Sequence, residues 1–120
     1  MADPTPIVST DQALAHLRAD AGAEDALIEL YLGAAVQAAE DFLDRKMYAT
    51  ADDMATAVLA GTAGDDPIVA NDAMRAAILL ILGKLYAYRE DVVAGTSTSV
   101  MSLPGGATTL LFPYRSGLGV

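Results

Sequence analysis

The chain has 120 residues, 16 acidic side chains against 7 basic ones, a formal net charge of −9, a single histidine and no cysteine. That length suits one domain able to bury around two thirds of its unfolded surface, while the charge has the wrong sign for neutralising nucleic-acid phosphates and is accounted for by solubility. Without cysteine there are no disulfides and no thiolate metal sites, so the compartment is left open, with cytosol the simplest choice.

Residues 1–8 contain Pro4 and Pro6 and no helical pattern, and read as a flexible arm; the start MADPTPIV lacks the basic residues and apolar run of a signal peptide. Ser9 to Gln12 reads as a capping box, which predicts a short helix over 10–19 with Ala13, Leu14 and Leu17 on one side. A second helix is expected over 24–45, acidic at its start (Glu24, Asp25) and basic at its end (Arg45, Lys46). Leu27, Tyr31, Ala34, Ala35, Ala38 and Phe42 recur there at spacings of three and four and mark a core stripe. The small residues Gly33, Ala34, Ala35, Ala38 and Ala39 allow another helix to come close. Thr50 caps a weaker helix carrying Met54, Ala57 and Val58, which ends at Gly61 ahead of a loop over 61–65.

The longest element is expected over 66–90, with Asp66 as N-cap, Pro67 at the first helical position and a length of about 36 Å. Its middle, Ala76 to Leu82, is an unbroken apolar run that must be covered nearly all round. The run is far short of the roughly 20 residues that span a bilayer. Either the remaining helices wrap it completely, the alanine-rich face of the second helix being the obvious partner, or copies of the chain cover one another. Gly95 to Ser99 has loop composition, and Val100, Met101 and Leu103 suggest a short extended piece before Pro104-Gly105-Gly106 turns the chain. Thr108 or Thr109 is expected to cap a single turn holding Leu110, Leu111 and Phe112, limited by Pro113, with residues 116–120 a flexible tail. The fold class is therefore all-α: a small bundle around one long central helix, with an extended loop, a short C-terminal helical turn and a single domain over 9–115.

Catalytic chemistry finds no footing. His16 has no second histidine to share a metal or a proton with. The acidic pairs Glu24-Asp25, Glu40-Asp41, Asp52-Asp53 and Asp65-Asp66 are adjacent, and neighbouring helical residues point about 100° apart. GTAGDDP at Gly61 follows no strand and lacks the Lys-Ser/Thr ending of a phosphate loop. No catalytic, cofactor or metal residue is assigned, and the reading is a protein that is not an enzyme. More informative are Leu82, Leu85, Tyr86 and Arg89, which share a face of the long helix and, with Glu90, form a candidate subunit contact; Arg89 can make a planar two-bonded contact with a carboxylate.

In their order, several segments resemble the small head-tail connector (adaptor) proteins of bacteriophages with long non-contractile tails and of related gene transfer agents. They are Thr10 to Arg18 (TDQALAHLR), the alanine-rich helix around Ala34-Ala35, Pro67-Ile68 opening the long apolar helix, Leu85 to Glu90 (LYAYRE), and Leu103-Pro104-Gly105 followed by Leu110-Leu111 and Pro113-Tyr114-Arg115. The likeness runs from Ser9 to Arg115, with departures at Ala107, where the family usually carries a larger aliphatic residue, and at Tyr88 before the arginine. The resemblance implies a subunit of a homo-oligomeric ring of about a dozen copies beneath the portal. Such a ring extends the DNA channel without reading sequence and docks the next neck or tail protein, in the virion neck and, before assembly, in the host cytoplasm. Thr96, Ser97, Thr98, Val100 and Leu103 are then candidates for the partner-docking loop. The competing reading is a small acidic helical protein-binding module, regulator or antitoxin-like, working as monomer or dimer.

Overall fold

Residues 6–18, 25–87 and 103–116 are described by the computed structural model. They form helices α1 (Thr10–Leu17), α2 (Asp25–Leu43), α3 (Ala51–Ala60), α4 (Asp72–Ala87) and α5 (Gly105–Leu111), the last continuing into a 3-10 turn over Phe112–Tyr114. Two short strands, β1 (Met47–Tyr48) and β2 (Ile68–Val69), complete the described elements.

Local chemistry starts and stops most of these helices. At α1 the Ser9 hydroxyl accepts the Gln12 N–H at 3.1 Å while the Gln12 side chain accepts the Ser9 N–H at 3.0 Å, a reciprocal box. At α3 the Thr50 hydroxyl accepts the Asp53 N–H, and the helix stops where Gly61 takes φ +75°. α2 ends with Asp44 in the left-handed region, φ +56°, after which the Arg45 N–H reaches back to the Glu40 carbonyl at 3.4 Å.

The long helix begins later than its sequence suggests. Asp66 and Pro67 do not open α4 but lead into β2, which lies parallel to β1 with Met47 opposite Ile68 and Tyr48 opposite Val69. The Ile68 N–H donates to the Lys46 carbonyl and the Ala70 N–H to the Tyr48 carbonyl. A proline followed by two β-branched residues is as content extended as helical, and here a partner strand is waiting. Asn71 then caps α4, its side-chain oxygen accepting the Met74 N–H at 3.0 Å, so the helix has 16 residues and is about 24 Å long.

Because β1 follows α2 and β2 precedes α4, the strand pair sits where α2 ends and α4 begins, and the two helices run antiparallel. Their contact is the heart of the core, with α1 and α5 closing further sides of α4. Ile28, Leu43, Met74, Ile78, Leu82 and Leu111 are its largest fully buried side chains. The buried stripe of α2 is Ile28, Tyr31, Leu32, Ala35, Ala39 and Leu43, whereas Gly33 and Ala34 face outward. It is turned by about one residue from the expected stripe, which brings Leu32 into the core and leaves Ala34 outside, the larger apolar side chain gaining more from burial.

The predicted shortage of cover for α4 does not arise. Leu80 is its one large apolar side chain that is exposed; the others most exposed lie on α2 (Leu30), α3 (Val58, Leu59) and the 3-10 turn (Phe112). α5 is also longer than the expected single turn, because Pro104 starts it through its carbonyl, which accepts the Thr108 N–H; the Thr108 and Thr109 hydroxyls donate to the Gly105 carbonyl instead of capping. Ala107 is wholly buried, so the small residue brings α5 close to the core, and a Cβ on Gly106 would stand 3.2 Å from a Leu80 methyl. The N-terminal arm is held at its inner end: Val8 is buried, and the Arg75 guanidinium donates to the Ile7 carbonyl at 3.2 Å.

Candidate functional site

Of the candidate subunit contact, Leu82 is fully buried inside its own subunit, which removes it from any surface. The spacing that groups it with Leu85 and Tyr86 is real, but that face turns inward at Leu82 and is half-buried at Leu85 and Tyr86, which pack on the core. Arg89 and Glu90 lie outside the described residues, as do Thr96, Ser97, Thr98 and Val100 of the candidate docking loop; Leu103 is half-buried against the core. His16 is exposed and lies over Gly83, its Nε2 3.4 Å from where a Cβ would be.

Sequence reasoning assigns Arg45 only a place in the helix dipole, yet it ties three segments together. Its Nε donates to the Asp66 carbonyl at 2.9 Å, its Nη2 reaches Asp66 Oδ1 at 3.2 Å, and its Nη1 donates to the Tyr114 carbonyl at 3.0 Å. Beside it the Ser116 N–H donates to the Leu43 carbonyl at 2.8 Å, and the Arg115 guanidinium stands over the Phe42 ring, 5.1 Å from its centroid. The C-terminal turn is thus anchored to the end of α2 with Phe112 about half exposed beyond it. The acidic residues here are spent on structure, Glu40 accepting the Met47 N–H and Asp41 the Gln37 amide. Among the described residues no three His, Asp or Glu side chains are placed to hold a metal ion.

A second feature lies on another side of α2. Ile7, Val8, Leu32, Val36, Met47 and Tyr48 line an apolar groove of about 550 Å³ between the arm, α2 and the start of α3. Glu29, Glu40 and Asp53 also line it, and no lysine or arginine does. Gly33 opens its floor, since a Cβ at that position would meet nothing within 4 Å. The groove and the exposed Phe112 leave two apolar features open on the surface of the described residues.

Residues 10–115 match the family of phage gp6-like head-tail connector proteins. The chain belongs to that family. No curated protein and no solved structure matches it. The matched span starts at the first residue of α1 and closes at Arg115, so it contains all five described helices, the groove's α2 and β1 walls and the Arg45 clamp. Head-tail connection is a structural role carried out at the neck of the virion. Among the described residues no helix is long and apolar enough to cross a membrane.

Proposed function

We propose that this connector subunit joins copies of itself into a closed ring of about a dozen beneath the portal, where the ring prolongs the DNA channel and receives the next neck or tail protein. The family match along the whole helical unit is the observation that carries this reading. The large apolar side chains left exposed on three separate elements, Leu30, Leu59 and Phe112, support it, since a subunit in a ring has two different neighbours to meet and further proteins above and below. The net charge of −9 is compatible with a channel along which a DNA backbone slides without sticking. The subunit performs no catalysis in this role, folds in the host cytoplasm and enters the virion on assembly.

Leu85 and Tyr86, with Arg89 and Glu90 beyond them, remain proposed contributors to the subunit contact, Leu82 serving as the core residue beneath. The decisive experiment is co-sedimentation with tail-less capsids that carry their portal: the protein is expected to travel with them and not with capsids lacking the portal. Equal binding to both, or to neither, removes the portal assignment. Arg89→Ala is expected to reduce capsid-bound rings more than it lowers the melting temperature of the free subunit.

A further inference from the structure

We infer that the apolar groove beside α2 receives the Phe112–Arg115 turn of the next copy of this chain, Phe112 filling the groove and Arg115 meeting its acidic edge. The inference rests on the ring reading above and names the surfaces through which neighbours meet. Charge complementarity carries it. Glu29, Glu40 and Asp53 line the groove without a basic residue, so its occupant should be apolar and positively charged. The described surface offers such a segment in the C-terminal turn, where Phe112 is 48% exposed, Pro113 is exposed, and Arg115 is exposed while resting on Phe42. Arg45, Lys46 and Arg75, by contrast, donate hydrogen bonds within the chain.

Placement decides the kind of contact. At about 100° per residue, Glu29, Leu32, Gly33, Val36 and Glu40 centre roughly 140° round α2 from Phe42, against which the turn is anchored. No groove residue lies beside Phe112 or Pro113, so a subunit's own turn leaves its groove open. Two copies meeting through unlike surfaces leave one groove and one turn open, so each addition repeats until a ring closes. The clamp made by Arg45, Ser116 and Arg115 holds the turn in place beforehand, which lowers the ordering cost of the contact.

The chain has no cysteine, so every disulfide that forms joins introduced thiols. In Gly33→Cys/Pro113→Cys the first thiol points into the groove and the second stands beside Phe112. Mild oxidation, both of the concentrated protein and of protein bound to portal-bearing capsids, is expected to give a ladder of covalent multimers, while either single variant, able to link only like to like, stays monomeric. A double variant that stops at dimers or does not link in either setting, or single variants that dimerise as readily as the double one links, overturns the inference. Should the cysteine pair disturb folding, Glu29→Arg and Arg115→Glu provide an independent arm, since both sites are exposed. Each alone is expected to lower the multimer fraction at least tenfold and the pair together to restore it; no restoration overturns the inference. Capsid binding without the ladder discards this surface and leaves the portal reading standing, whereas a ladder without capsid binding does the reverse.

Discussion

α3 and α4 both begin at a polar side chain that caps their first N–H groups, yet different forces keep them helical. In α4, Met74, Ala77, Ile78 and Leu82 are wholly buried against α1, α2 and α5, so its helicity follows from the core it fills. α3 has no buried residue, and Leu59 is 89% exposed. A helix of 10 residues is marginal in water by itself, so α3 depends on its Thr50 cap, the acidic Asp52 and Asp53 in its first turn, the closure at Gly61 and a light contact with the strand pair. The same backbone geometry is thus a consequence of packing in one region and of end chemistry in the other. α3 also leaves two large apolar side chains, Val58 and Leu59, exposed.

The comparison breaks most readily at the centre of α4. Ile78→Ala should remove about 2–5 kcal/mol from global stability, read as a lower denaturation midpoint with an unchanged slope; a loss below about 1 kcal/mol would mean that α4 is not the core element. Arg45→Ala comes next. Its guanidinium joins the strand pair to the C-terminal turn, and losing those bonds should cost about 2 kcal/mol and speed hydrogen exchange at the Ser116 amide far more than within α4.

The caps sharpen the contrast. Asn71→Ala and Thr50→Ala each forfeit one capping bond worth about 1 kcal/mol. The first should lower the midpoint of the whole unit, because α4 cannot loosen without the core, while the second should raise exchange only in α3 and leave the global midpoint nearly unmoved. Equal global effects would show that α3 is as integral as α4. Smallest of all, Leu59→Ser should change monomer stability by less than about 0.5 kcal/mol, and a larger loss in thermal unfolding would reveal packing at Leu59.

Legibility followed the range of the determining interaction. Ser9 with Gln12, and Thr50 with Gly61, act within a few residues, and α1 and α3 start where those residues predict. The pairing of α2 with α4 was also readable, since alanines on one helix and an unbroken apolar run on the other leave few alternatives. The start of α4 was not. Asp66-Pro67 and Asn71-Asp72 are both sound opening signals, and choosing between them requires knowing that Met47 and Tyr48 lie alongside Ile68 and Val69. Arg45 was missed for the same reason, because its carbonyl partners on Asp66 and Tyr114 are distant in the chain and carbonyls leave no mark in composition. Leu82 shares its spacing with Leu85 and Tyr86, but periodicity groups residues on a face without saying how far along the helix the cover extends.

By itself the sequence determined the mainly helical class, the capped starts of α1 and α3, the acidic charge of the chain and the likeness to head-tail connectors, because each depends on local chemistry, summed charge or the order of segments. Tertiary structure alone decided where α4 begins, which side of α2 is buried, and that Arg45 anchors the last turn. Those outcomes depend on which distant segments compete for the same hydrogen bonds and the same buried space, and that competition is resolved only once the chain has packed.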